Sequence, residues 1–253
     1  MQSELGQTRV KWVFALERFF IRSLLFVFGR LTVRGTENIP AEGPYILAIN
    51  HMSKADPPLI LLSWPDSRIR FFAAEKWEKH LIFGPLMKYS GAVYINRGEV
   101  DRKALRAALE VLREGAVFGL APEGTRSRVG ALIQARDGAA YLASRANVPI
   151  VPVGLVNSDQ LGSNMAHLRR TQLETRVGKP FFLPETIGRP RSKELAAYTH
   201  LIMVHIAALL PERYWGYYAD SPALAALLRG EDPWPHCADA AALSLTGGES
   251  AAQ

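Results

Sequence analysis

The sequence predicts an α/β fold: a mostly parallel central sheet covered by helices on both faces, preceded by an amphipathic N-terminal helical segment that meets a membrane interface. Two observations carry the sheet. From residue 31 to 156 short apolar runs alternate with helix-length stretches, which is the pattern of a parallel sheet with helical crossovers. Two of those runs, YILAIN at 45–50 and IVPVGLV at 150–156, are almost uninterrupted, as expected of strands buried on both sides. A third observation, a bulky apolar stretch with a basic stripe before residue 31, carries the N-terminal helix.

The 253 residues, 48% hydrophobic and 21% charged, are globular in composition and enough for one large core with appendages. The elements follow in order. Residues 45–50 form a buried strand, and Asp56 followed by Pro57-Pro58 and LILL starts a helix. Residues 69–74 (IRFFAA) predict a strand and 76–89 a helix broken at Gly84-Pro85. Residues 92–96 (AVYIN) predict a strand, and 101–114 an amphipathic helix with Leu105, Leu109 and Leu112 on one face, stopped by Gly115. A strand at 116–121, a helix at 137–146 and the strand at 150–156 complete the alternation. Beyond them, 158–170 reads as a loop, 174–183 as a strand, 192–210 as a closing helix and RYWGYY at 213–218 as a packing surface. The small and polar residues after Pro233 predict a disordered tail. The chain thus divides into 1–30, an amphipathic membrane-association segment; 31–219, the α/β domain with its motif-bearing core at 45–156; and 220–253, a short helix and tail.

The chemistry gathers at strand ends. His51 follows the 45–50 strand and Asp56 stands five residues on, across a short loop that can return the carboxylate to one imidazole nitrogen and leave the other free to accept a proton. The spacing lacks the helical H-E-x-x-H arrangement and no third ligand lies nearby, so a metal site is not indicated. GAVYINRG at 91–98 puts Arg97 just past a strand, and APEGTRSR at 121–128 does the same for Glu123, Gly124, Thr125 and Arg126. Loops at the carboxyl ends of parallel strands share one crevice, where two arginines suit a phosphate. Gly124 allows close backbone approach and Thr125 adds a hydroxyl donor. The single cysteine, Cys237, excludes an intrachain disulfide, and its place near the polar tail argues against a nucleophile.

Charge is unevenly placed. Arg9, Lys11, Arg18, Arg22, Arg30 and Arg34 against Glu4 and Glu17 give the first 35 residues a net of +4, within a chain of net charge +6. Such a front end suggests an anionic partner, membrane surface or nucleic acid; no common nucleic-acid motif is present. Along residues 12–31 and the preceding Lys11, the basic residues Lys11, Arg18 and Arg22 form a stripe on a helix otherwise carrying Trp12, Phe14, Leu16, Phe19, Phe20, Leu24, Leu25 and Phe28. Its longest uncharged piece, 23–29, is far short of the roughly 20 residues that span a bilayer. The segment predicts either a helix lying in the membrane interface, with the basic stripe on anionic headgroups, or one packed on the protein's own core.

Four blocks in order, NHMSKADP at 50–57, AVYINRG at 92–98, PEGTRSR at 122–128 and VPIVPVG at 148–154, resemble the phospholipid/glycerol acyltransferase family, of the bacterial 1-acylglycerol-3-phosphate type. The resemblance runs from about residue 31 to 156. Asn96, Ala121 and Arg136 stand where the family often has Asp, Phe and Lys. It implies transfer of a fatty acyl group from a thioester on coenzyme A or acyl carrier protein to a lysophosphatidic acid hydroxyl, giving phosphatidic acid, with no further cofactor, at the cytoplasmic face of the membrane. His51 and Asp56 then form the catalytic pair. Arg97, Glu123, Gly124, Thr125, Arg126 and Arg136 line the substrate site, and N–H donors near Gly124 or in the 51–56 loop meet the oxyanion. A hydrolase using the same pair, acylation of another glycerol-phosphate or lysophospholipid, and a non-catalytic anionic-lipid binder remain alternatives.

Overall fold

The computed structural model describes residues 11–65, 69–75, 92–95, 102–185 and 190–238. The sequence-predicted helix at 76–89, Arg97 and the tail from 239 lie outside the described residues.

Helix α1 (Lys11–Phe28) leads directly into β1 (Gly29–Arg34), so Gly29 and Arg30 belong to the sheet and not to the amphipathic segment. There follow β2 (Tyr45–Ile49), α2 (Asp56–Ser63), β3 (Ile69–Ala74), β4 (Val93–Ile95), α3 (Arg102–Arg113), β5 (Val117–Leu120), α4 (Gly138–Ala146) and β6 (Ile150–Val156). After β6 come the short α5 (Leu161–Ala166), β7 (Thr171–Val177), α6 (Ser192–Ala207) and α7 (Pro222–Leu228). Among the described residues seven strands form one sheet in the order β1-β7-β6-β2-β5-β3-β4. All neighbours are parallel except β6 and β7, so β1 and β7 run opposite to the other five.

Alternation along the central strands splits the core in two. Ile46, Ala48, Phe118 and Ile150 face α3, α4, α6 and α7, packing with Ala108, Leu112, Leu142 and Ile202. Tyr45, Leu47, Val117, Val151 and Val153 face the other way, against Ile60, Leu61 and Trp64 of the α2 region. Helices therefore cover both faces, and every residue of β6 is buried.

Several expectations need correction. The strand expected at 174–183 begins three residues earlier and ends at Val177: Thr171, Leu173, Thr175 and Val177 alternate inward, and only an isolated bridge between Ile150 and Phe181 continues the pairing. The loop expected at 158–170 contains α5. Residues 234–238 are not part of a disordered tail, for Trp234 stacks on Tyr198 and Cys237 is fully buried. Burial pushes the Cys237 thiol up to about 12, so it is the core rather than an exposed tail that disfavours the thiolate. Arg18 does not belong to a free basic stripe: its guanidinium donates to the carbonyls of Leu61 and Trp64, at 3.0 and 2.6 Å. Those carbonyls close the C-terminal end of α2, where a cation is favoured.

The end of β2 is pinned by a side chain. Asn50 is fully buried and pairs with the backbone of Leu155, its Nδ2 donating to the carbonyl at 3.0 Å and its Oδ1 accepting from the amide at 2.7 Å. The amide thus stands in for one more rung of the β2–β6 ladder, at the residue before His51. Asn50→Ala orphans two buried backbone groups and is expected to lower unfolding free energy by roughly 2–4 kcal/mol in urea titration; Asn50→Ala with native stability would show that the rung is dispensable.

Candidate active site

Asp56 is the first residue of α2, and Pro57 and Pro58 after it forgo N–H groups that the first helical turn cannot pair. Its side chain turns back over the loop. Oδ2 accepts three hydrogen bonds at 2.8 Å, from the His51 ring Nδ1 and from the backbone amides of Met52 and Ser53. The carboxyl group is fully buried, and its other oxygen, Oδ1, has no hydrogen-bond partner. With Nδ1 turned to Asp56, the imidazole is oriented with Nε2 outward; its side chain keeps 16% exposure. The pair therefore has the geometry of an oriented base: one nitrogen held by an anion, the other open to a proton.

The loop after β5 is fastened to the same place. The Ser127 amide donates to the His51 carbonyl at 2.8 Å, which sets Arg126 beside the His51 backbone. Glu123 is buried, and each of its oxygens accepts a backbone N–H: Oε1 from His51 at 2.9 Å and Oε2 from Ile133 at 3.1 Å. The family resemblance implies that Glu123 lines the substrate site; in the fold both its oxygens face the backbone, and the carboxyl group stitches the β2 and β5 loops together. Burial pushes the Glu123 carboxyl up to about 7, with Asp56 adding to the rise and the two amides and His51 opposing it.

Gly124 has a φ of 67°, and a Cβ there would lie 3.1 Å from Cδ of Arg136, so the arginine stem passes directly over the glycine. Thr125 is exposed and Arg126 partly so. Among the described residues neither Arg126 nor Arg136 has a carboxylate partner. The oxyanion donors expected near Gly124 and in the 51–56 loop are largely committed: the amides of His51, Met52 and Ser53 go to carboxylates and that of Gly124 to the Ala121 carbonyl.

Residues beyond the motifs complete the support. Leu132 exchanges backbone hydrogen bonds with Tyr214 and Tyr217, and the Tyr218 hydroxyl accepts from the Ala135 amide at 3.1 Å. At Gly216, with φ 49°, a Cβ would meet the Leu132 carbonyl at 2.3 Å. RYWGYY is thus a clasp on the 131–135 loop, which in turn holds Glu123. Its aromatic composition marks a packing surface but not what it packs against. Asn50 and Ser127 carried one signal only, adjacency to His51 and Arg126.

Comparison with known proteins gives the family. The acyltransferase family model matches residues 30–156, half of the chain, a span that includes His51, Asp56, Glu123 and Arg126 but not the 213–218 clasp, and the chain belongs to that family. Its named relatives are O-acyltransferases. A 1-acyl-sn-glycerol-3-phosphate acyltransferase of Bacillus subtilis is 21% identical over 75% of this chain and 92% of its own length. One from Borreliella burgdorferi is 29% identical over 58% of this chain, which spans 59% of that protein. The crystal structure of the 1-acyl-sn-glycerophosphate acyltransferase PlsC from Thermotoga maritima superposes with a TM-score of 0.63 at 26% identity, covering 79% of each chain.

Glu123 has a folded-state pKa above its unfolded value of 4.5, so the folded state holds its proton more tightly. Its contribution to stability is full below about pH 4.5 and is lost as pH rises through about 7. Thermal melts of Glu123→Gln should lose this slope and, because an amide sets N–H against N–H, show a stability lower by about 1–3 kcal/mol. Parallel wild-type and Glu123→Gln curves across that window would refute the assignment.

Proposed function

We propose that the protein transfers a fatty acyl group from a coenzyme A or acyl carrier protein thioester to the free hydroxyl of 1-acylglycerol-3-phosphate, yielding phosphatidic acid. The observation that carries this reading is the His51 Nδ1 to Asp56 Oδ2 contact of 2.8 Å on a fully buried carboxylate, set beside a loop whose arginine has no carboxylate partner among the described residues.

His51 Nε2 takes the acceptor's hydroxyl proton as that oxygen attacks the thioester carbonyl. Asp56 fixes the tautomer and stabilises the imidazolium that forms. When the tetrahedral intermediate collapses, the carbon–sulfur bond breaks and the imidazolium proton passes to the departing thiolate, so the base is regenerated. Arg126, with Arg136 and Arg97, grips the acceptor phosphate and sets the hydroxyl against His51. Gly124 and Thr125 give that phosphate close backbone and hydroxyl contacts, and Glu123 positions His51 through its amide. Direct transfer without an acyl-enzyme fits best, for the sequence has no G-x-S-x-G elbow and the lone thiol is buried. No cofactor or metal enters the scheme.

The substrates are lipids, and α1 supplies the means of reaching them. No helix among the described residues is long and apolar enough to cross a membrane. Yet Phe19, Phe20, Phe26 and Val27 are 56–79% exposed, an apolar face suited to the cytoplasmic membrane interface, with Arg22 at the headgroups.

His51→Ala should reduce acyl transfer at least about a hundredfold with the fold intact, and Asp56→Asn should impair turnover by spoiling the tautomer. Near-native turnover by a folded His51→Ala protein would remove the base from the scheme. Arg126→Ala should raise the KM for the phosphorylated acceptor well above any change for the acyl donor. Equal effects on both substrates would place Arg126 elsewhere in the reaction.

A further inference from the structure

The short α5 ends in an unusual way. The Arg169 amide donates to the Asn164 carbonyl at 2.8 Å and the Leu168 amide to the Met165 carbonyl at 3.1 Å, the paired closure of a Schellman motif. The residue at its left-handed position is normally glycine. Here it is Leu168, with φ 54°, and its side chain is 86% exposed, more than any other large apolar residue described. Among the described residues no core cluster includes Leu168.

Topology places it. Gly29 of β1 pairs with Thr171 of β7 in parallel, so the residues leading into the two strands lie side by side, and Arg170 confirms it by donating to the carbonyls of Phe26 and Gly29 at 2.7 and 3.2 Å. The loop that carries Leu168 is thus held at the end of α1, where Phe26 and Val27 are exposed. Because β7 runs against β6, the start of β7 lies at the same sheet edge as the carboxyl end of β2, where His51 sits. Counting register and strand spacing, the separation is roughly 15–20 Å. Around these apolar tips stand exposed Arg22, Arg30, His167, Arg169 and Arg170, and neither 18–30 nor 161–170 contains an acid.

We propose that the loop 167–170 is a second membrane contact, which inserts Leu168 into the interface of an anionic bilayer beside Phe26 and Val27 and so brings the lipid surface to the edge that carries His51. The inference rests on the reading of α1 as an interfacial helix. The ring of arginines without acids selects an anionic lipid surface over an apolar protein partner, and two insertion points fix the tilt of the sheet where one helix leaves it free.

The test labels Leu168→Cys and, separately, Phe26→Cys with an environment-sensitive thiol probe; buried Cys237 does not compete in the folded full-length chain. Each is mixed with phosphatidylglycerol-containing vesicles carrying brominated acyl chains, with Tyr141→Cys on α4 as the reference. Quenching at both 168 and 26, and not at 141, is the expected result. Quenching at 26 alone overturns this proposal and leaves the α1 reading standing; quenching at neither overturns both. A 168 signal that follows protein concentration and ignores vesicles assigns the loop to a second copy of the chain and likewise refutes the proposal. Leu168→Gly separates docking from folding. Glycine suits the left-handed position, so the melting temperature should hold or rise while vesicle affinity falls about tenfold, as expected for losing one buried leucine side chain, and turnover on a short-chain, water-soluble acceptor stays unchanged. Wild-type vesicle affinity in Leu168→Gly would contradict the proposal.

Discussion

A single oxygen, Oδ2 of Asp56, gathers the imidazole of His51 and the amides of Met52 and Ser53, and the geometry of the site depends on it. A carboxylate with no exposure is costly unless it is paired and hydrogen-bonded. Here two backbone amides and a ring N–H meet that need, and no arginine or lysine takes part among the described residues. The consequence is chemical: the loop is wound around the anion, and the one group whose bond to it can change with protonation is the histidine. Arg18 extends the arrangement, since it closes the far end of the helix that Asp56 begins, tying α1 to the position of the His51–Asp56 pair.

The second buried carboxylate follows the same rule. Glu123 is satisfied by two amides, one of them from His51. Both carboxyl groups at the site thus draw on the backbone, and the arginines near them are left without carboxylate partners among the described residues. Were Glu123 paired with Arg126, the proposed phosphate would have to displace it. Sheet topology adds the remaining condition. Parallel β2 and β5 bring the His51 and Glu123 loops together, and the reversal at β7 delivers the end of α1 and the α5–β7 loop to the same edge.

Much of this was legible in the residues because burial on two faces leaves a plain mark. The runs at 45–50 and 150–156 are apolar throughout, and both are central strands; His51 and Asp56 announced themselves by spacing and by the prolines that follow. What stayed hidden depends on direction. A glutamate beside a glycine and an arginine reads the same whether it faces a crevice or a backbone amide, and Glu123 faces the backbone. Arg18 falls on a basic helical stripe, yet its reach to two carbonyls 43 and 46 residues away is a tertiary fact. Nothing in TQLETRV says that β7 runs against its neighbour, and Leu168 looks unremarkable until its φ is known.

The central claim is that an oriented imidazole activates a lipid hydroxyl against a thioester. Free-thiol release by the purified protein, followed with acyl-coenzyme A or acyl carrier protein in the presence and absence of 1-acylglycerol-3-phosphate, tests it most directly. The account predicts thiol release that requires the acceptor and matches phosphatidic acid formed. Release at the same rate without acceptor would make the protein a thioester hydrolase, and no release with either donor would make it a lipid binder; either result contradicts the account.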